Sequence, residues 1–404
     1  MTRNEIQDGS IDLIEKNNRV LLSWATGVGK SYAFIKMQEA LKAEVTCIVV
    51  AEVAHIKNWQ DEYIKHGKEE LLNKTNIFCY ASLKNNTDYR VDLLCLDEGH
   101  HATSELRLDF LSSIKATKVV VLTATLGEDK LLSLQTIYGD FKVSKVSLKQ
   151  AIAWEIIPKP DIFIIPLELD DTKQNCIIEQ VWGTKTKRVV IKCKYQDRWE
   201  YLGDKIKYPN VQLIMSATQV QKNFHLNQQS DYWKNFFMRS RQDYAKTKWM
   251  LTGSERKRFL AECKTNKVKP FLKKLKKKRF ICFCGSIEQA ELLGKGNAIH
   301  SKMANAAEYI EDFSTGKISN LFVVNMLQEG QNLPDIEAGV IIQLDGQERG
   351  FIQKSGRVLR AEKPILFVFY YKNTRDEKYL ENIIEGVDPE YIRIITDVEE
   401  LDIL

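Results

Sequence analysis

Long apolar stretches are missing from this chain of 404 residues. The longest, such as Val119–Leu122 and Ile365–Tyr371, fall far short of the ~20 residues that span a bilayer. The opening MTRNEIQDGS also lacks the basic-then-apolar pattern of a secretory leader. A cytoplasmic protein with no membrane segment is expected. Paired cysteines are missing as well. The eight cysteines, at 47, 79, 95, 176, 193, 263, 282 and 284, form no C-x-x-C sets, so disulfides and metal clusters are not expected. Most sit in β-like runs (TCIVV, IFCY, LLCL, ICFC), where a reduced cysteine behaves as a small buried hydrophobe. Low-complexity tracts and repeats of 20–50 residues are lacking too, which excludes solenoids and arrays.

What is present is a globular composition, 44% hydrophobic and 28% charged, in a chain longer than the ~250–300 residues at which single cores stop growing. Two or more domains are expected. The net charge is only +5, but it is unevenly spread. Residues 182–280 hold 26 Lys and Arg against seven Asp and Glu, a surplus of 19, which leaves the remainder of the chain at −14. Such a block suits a polyanion, because bound Lys and Arg release the counterions condensed on nucleic-acid phosphates. Within it, cations and aromatics interleave (WGTKTKRVVIKCKY, then DYWKNFFMRSRQDYAKTKWM). The tryptophans either stack bases or form the segment's own core.

Short β-branched runs alternate with helix-compatible stretches: RVLLSW (19–24), VTCIVVA (45–51), NIFCY (76–80), DLLCLD (92–97) and KVVVLTA (118–124). Near-continuous apolar strands joined through helices indicate a parallel sheet covered on both faces. The rhythm returns in RFICFC (279–284), NAIH (297–300), NLFVVN (320–325), AGVIIQL (338–344) and PILFVFYY (364–371). Two similar α/β lobes follow, one over 1–168 and one over 266–404. The basic segment 169–265 lies between them as an α+β insert, a hairpin or small sheet and then helices. From Asn373 onward ten acidic residues face three basic ones, read as a solvated helical end on the second lobe.

The first strand runs through Trp24, Ala25, Thr26, Gly27, Val28, Gly29, Lys30 and Ser31 into the helical YAFIKMQEALK. Strand, glycine-bearing turn and helix give GKS the context of a phosphate cradle. Backbone N–H groups and the helix N-terminus face the phosphates, Lys30 reaches their oxygens, and Ser31 can hold Mg²⁺. The strict pattern has Gly at position 24, where this chain has Trp. Further on, VDLLCL delivers Asp97, Glu98, Gly99 and His100 at the carboxyl end of a strand, where open parallel sheets put their ligands. Alone, a DE pair there is more often a solvated helix start; after GKS in a βαβ array, Asp97 reads as a Mg²⁺ ligand and Glu98 as a base for an attacking water.

In order and spacing, ATGVGKS, DEGH and TAT (123–125) resemble motifs I, II and III of superfamily 2 helicases and translocases of the DEAD/DEAH kind. QEGQNLPDIEAGVII (328–342) resembles motif V, with Gly330 and Asn332 facing nucleotide, and QKSGRVLR (353–360) resembles motif VI. The resemblance implies two RecA-like lobes closing on ATP and Mg²⁺, with nucleic-acid-dependent ATP hydrolysis. Arg357 and Arg360 would be arginine fingers and Gln353 would lie near the γ-phosphate. Arg3 and Gln7 would read adenine, and His100, Thr123 and Thr125 would couple nucleotide state to strand contact. Motif II carries Gly99 where relatives have Ala, which assigns the chain to neither named subgroup. The style of motifs V and VI is closer to phage recombination, repair and restriction-translocase helicases, and so favours DNA over RNA. The first choice for phosphate contacts is the insert's KTKR turn and its neighbours, Lys185, Lys187, Arg188, Lys192 and Lys194. The rival readings are a translocase or restriction motor subunit that moves on duplex without separating it, and an ATP-gated clamp with little turnover.

Overall fold

The computed structural model describes residues 1–80, 89–103, 105–124, 126–181, 190–193, 198–201, 212–275, 278–303, 305–324, 336–344, 363–384 and 387–396. In the first lobe, strands β1 (Arg19–Trp24), β2 (Thr46–Val50), β3 (Thr75–Cys79), β4 (Arg90–Leu96), β5 (Lys115–Thr123) and β6 (Lys142–Val146) make one sheet in the order β3-β2-β4-β5-β1-β6. Every pairing in it is parallel. α1 (Arg3–Lys16) leads into β1, crossovers run through α2 (Lys30–Leu41), α3 (Ala54–Lys65), α4 (Glu69–Leu72), α5 (Glu105–Ser112) and α6 (Glu128–Tyr138), and α7 (Leu148–Ala153) leads out of the sheet. The central strands are apolar because both faces are covered: β2 is buried at all five positions. β6 is an edge strand reading KVSKV and mostly exposed, as edges are when charge keeps them from pairing further.

The second sheet contains a correction. Its strands are β7 (Asp161–Leu167), β12 (Phe280–Phe283), β13 (Ala298–Ile299), β14 (Asn320–Val323), β15 (Ala338–Ile341), β16 (Ile365–Tyr371) and β17 (Ile392–Ile394), in the order β13-β14-β12-β15-β16-β7-β17. Thus β7, which the sequence puts at the end of the first lobe, pairs with β16 from Asp161 opposite Ile365 to Leu167 opposite Tyr371. The first lobe ends before it, and the boundary at 168 is too late. DIFIIPL is apolar on both faces and needs a central place in a sheet. The first sheet already closes on β6, whereas β16 offers a buried partner. β17 flanks β7 on its other side and adds a strand to the acidic end expected to be helical. Helices α10 (Ile287–Gly294), α11 (Ala306–Ser314) and α12 (Arg375–Ile384) complete this lobe.

Between β7 and β12 the insert forms two antiparallel pairs, β8 (Cys176–Val181) with β11 (Gln212–Ala217) and β9 (Val190–Cys193) with β10 (Arg198–Tyr201). A helical hairpin of α8 (Gln219–Ser240) and α9 (Asp243–Lys274) follows. The second half of α9 packs Ala261, Val268, Phe271 and Leu272 against Phe163, Phe280, Phe367 and Phe369 of the second sheet. That places it in the lobe's own core, past the expected insert limit at 265. Cys47, Cys79, Cys95, Cys282 and Cys284 are buried among apolar neighbours. No helix among the described residues is long and apolar enough to cross a membrane.

Candidate functional site

The site is assembled at the carboxyl ends of β1, β4 and β5, adjacent strands of the first sheet. After Trp24 the chain turns through residues 25–29 and enters α2 at Lys30. Gly27 and Gly29 both have φ +94°, the left-handed backbone open to glycine. A Cβ on Gly29 would also lie 2.4 Å from Gln7 Nε2. No side chain caps α2, so its first-turn N–H groups remain directed outward, the arrangement that binds phosphate. Lys30 Nζ donates to the Trp24 carbonyl at 2.9 Å. Val28 is fully buried and braces the turn from beneath. Trp24 itself is buried, its indole N–H donating to Ser144 Oγ of β6 at 3.0 Å. The residue that departs from the strict motif is therefore an anchor of the strand end.

From α1, Arg3 and Gln7 approach the same turn, four residues apart on one helix face. The Gln7 amide donates to the carbonyls of Val28 at 3.4 Å and Gly29 at 3.3 Å, and the Arg3 guanidinium donates to the carbonyl of Ile156 at 2.8 Å. The buried Gln7 Oε1 has no partner, so an acceptor at the cradle's edge is left for a ligand.

At the end of β4, Asp97 accepts the Glu98 backbone N–H on Oδ1 at 3.0 Å and the Trp59 indole N–H on Oδ2 at 2.9 Å. Burial, and then the neighbouring Glu98 charge, push the Asp97 carboxyl up to about 6, opposed by the Trp59 bond and by the His55 and Lys30 charges. Glu98 has φ +46°, left-handed backbone for a side chain that disfavours it, and such strain costs on the order of 1 kcal/mol. His100 Nδ1 lies 3.3 Å from Glu98 Oε2 and 3.5 Å from Thr123 Oγ1 at the end of β5. Both His100 and Thr123 are buried. His101 is partly exposed, and its ring tilts against the His100 ring at 4.2 Å.

The structure thus brings together Arg3, Gln7, Thr26, Gly27, Val28, Gly29, Lys30, Ser31, Asp97, Glu98, His100 and Thr123 around one end of one sheet. Thr125, Gly330, Asn332, Gln353, Arg357, Arg360, Lys185, Lys187, Arg188 and Lys194 lie outside the described residues. Lys192 is on β9, in register with Trp199 of β10. Two residues at the site were missed in the sequence: Trp59 and His55. The signal was the spacing HIKNW, which stacks the two on one face of α3, where Trp59 bonds Asp97 and the His55 charge reaches it.

The residues suit a magnesium nucleotide. Among the described residues no three His, Cys, Asp or Glu side chains form a metal cage. Mg²⁺ does not ask for one, because it keeps its waters and takes one or two protein oxygens beside substrate phosphates. Ser31 in the first turn of α2 and Asp97 after β4 have that oxygen chemistry, and the uncapped turn offers the N–H groups that phosphate binds.

Comparison with known proteins extends this picture. Residues 2–128 match the family model described as type III restriction enzyme, res subunit, and residues 263–362 match the helicase conserved C-terminal domain. No curated protein matches the chain. Among solved structures, the Hef helicase domain of Pyrococcus furiosus is 12% identical with a TM-score of 0.52, over 94% of this chain and 96% of that one. Dbp5 of S. cerevisiae, bound to RNA and ADP BeF3, is 12% identical with a TM-score of 0.58, over 98% of this chain and 90% of that one. The ATP-dependent type ISP restriction-modification enzyme LlaBIII, bound to DNA, is 11% identical with a TM-score of 0.55. The match takes in 100% of this chain and 32% of that enzyme, so this chain spans about a third of it. At such identities the likeness concerns the fold.

Proposed function

We propose that this chain, which matches a restriction-subunit model in its first lobe and a helicase C-terminal model in its second, is an ATP-dependent DNA helicase or translocase whose cycle of nucleotide binding and hydrolysis moves the lobes along a strand. The observation that carries this reading is the convergence of Lys30, Asp97 and the Glu98–His100–Thr123 chain at one sheet end. Lys30 would leave the Trp24 carbonyl for phosphate oxygens, and Ser31 and Asp97 would hold Mg²⁺, which would supply neutralising charge at the transferred phosphoryl group. Glu98 takes a proton from the attacking water. Its Oε2 lies within ion-pair distance of His100 Nδ1, the same nitrogen that meets Thr123 Oγ1, so one imidazole stands between Glu98 and the end of β5. In motif VI, Arg357 and Arg360 would supply charge from the second lobe, and Gln353 would contact the γ-phosphate. Arg3 and Gln7 would read adenine.

DNA is preferred over RNA because of the sequence style of motifs V and VI, supported by the restriction-subunit family match. That match also favours a second reading, motion on duplex DNA without strand separation. Displacement of a triplex third strand with no unwinding of a fork would select it. Lys30→Ala should reduce hydrolysis to near background with both lobes folded. Glu98→Gln should retain ATP binding and lose turnover. Either variant hydrolysing at the parent rate overturns the assignment. Stimulation compared across single-stranded DNA, duplex, fork and RNA tests the substrate, and a stronger response to RNA overturns the preference for DNA.

A further inference from the structure

We infer that the free end of the α8–α9 hairpin is a separate nucleic-acid site, an aromatic platform that stacks single-stranded bases between phosphate-binding cations and is fastened to the second lobe. The inference rests on the reading that this chain works on nucleic acid. Over residues 232–251 the hairpin carries a chain of rings: Tyr232 stacks on Phe236 at 6.3 Å and 13°, Trp233 meets Tyr244 of the other helix edge-on at 5.3 Å, and Phe237 stacks on Trp249 at 6.1 Å. Two helices that only needed to pair would turn this apolar surface inward. Here Tyr232 is 60% and Tyr244 54% exposed, and Met238, Met250 and Leu251 are exposed beside them.

Charge identifies the occupant. Lys234, Arg239, Arg241, Lys246 and Lys248 are all exposed on the same twenty-residue end, and the Arg241 guanidinium lies 5.9 Å from the Phe237 ring centre. Of its two nearby acids, Asp231 is taken by a two-pronged bond from Arg375 at 2.8 and 3.0 Å, which leaves Asp243. Exposed ring faces among surplus cations suit bases and phosphates together, since every base has a π-face and each phosphate a charge. An apolar partner surface would leave those five cations without counterions.

The hairpin is held by α12 at three levels. Arg375 takes Asp231 of α8, Tyr379 accepts from Arg256 of α9 at 2.8 Å, and Asp376 pairs with the buried Lys264 at 2.6 Å. Beyond Asp231, α8 continues for nine residues to Ser240, a reach of about 14 Å at 1.5 Å per residue. A displacement of the second lobe therefore carries the platform with it, so nucleotide-driven lobe motion reaches a stacked strand through a rigid arm.

The test is fluorescence anisotropy with labelled mixed-sequence single strands and duplexes of about 20 nucleotides, on the full chain. Tyr232→Ala with Tyr244→Ala should weaken single-strand binding by roughly five-fold or more per stacked base, leave the salt slope unchanged, and leave duplex binding and unstimulated ATP hydrolysis near the parent. Tyr→Phe at both sites should restore affinity. Lys246→Ala with Lys248→Ala should instead flatten the single-strand salt slope by about 1.4. Unchanged single-strand affinity in the tyrosine pair overturns the inference, as does loss of self-association or of protein binding with oligonucleotide affinity intact. A parent chain that binds no oligonucleotide sinks the broader reading with it; a parent that binds while the variant binds equally sinks the platform alone.

Discussion

Gly99 shows how one atom sets the shape of the second motif. A Cβ there would lie 2.3 Å from Val121 Cγ1, and Val121 is fully buried on β5, paired with Leu96 on one side and Leu21 on the other. A β-branched side chain on a central strand has little freedom to turn away. The residue that departs from DEAD and DEAH is thus matched to the strand beneath it. Gly99→Ala should cost about 1–3 kcal/mol by overpacking and shift Glu98 and His100, lowering hydrolysis. Val121→Ala should relieve the clash, so urea unfolding of the double variant should show it more stable than the sum of the single losses by more than about 0.5 kcal/mol. A Gly99→Ala protein as stable as the parent would sink the argument. Trp24 and Trp59 show the same thing from the other side: a motif letter that looked irregular is an anchor on Ser144, and an unremarked aromatic holds Asp97.

Elements that carry their own composition signal were legible, and the partners that strands choose across long distances were not. The runs 19–24 and 364–371 coincide closely with β1 and β16, because apolar strands of a covered parallel sheet announce themselves by composition. β6 hid behind alternating lysines of an edge strand. β7 falls inside the bounds expected for the first lobe but belongs to the second sheet, since its partner begins at Ile365, about two hundred residues away, and no local pattern encodes that choice. Phosphate loop and acidic pair were legible because strand, turn and helix are consecutive there; the Trp59–Asp97 bond was not, because it joins α3 to β4 across a crossover. The seating of α9 was hidden for the same reason. Lys264, on that helix, donates to the Ile342 carbonyl at 2.7 Å and pairs with Asp376, both side chains nearly inaccessible. Lys264→Ala leaves Asp376 buried without its cation, and such losses run at about 3–5 kcal/mol. Lys264→Met with Asp376→Asn, which removes both charges, should recover most of it in thermal unfolding. Equal destabilisation of the single and double variants would show that the charge pair is not what seats the helix.

At the scale of the molecule the dominant feature is the segregation of charge, a surplus of 19 over residues 182–280 on a chain whose remainder is negative. A solvated face has no need of that much. Part of the surplus is the cations of α8 and α9, exposed at the hairpin end and carried by the second lobe. Another part is the KTKR segment, outside the described residues, between strands β8 and β9. If these consecutive cations touch backbone phosphates, replacing Lys185, Lys187 and Arg188 by Ala should weaken binding to all sequences alike, and the salt slope should fall by about one unit for each phosphate no longer neutralised. Unstimulated hydrolysis should survive, since Lys30, Asp97 and Glu98 belong to the other sheet, and stimulation should require more nucleic acid. The contrast with the tyrosine platform is physical. Stacking contributes affinity that salt hardly touches, whereas phosphate binding contributes through the ions it releases. Affinity measured against salt for the triple variant separates the two, and an unchanged slope would move the phosphate track off this segment to the faces of the lobes.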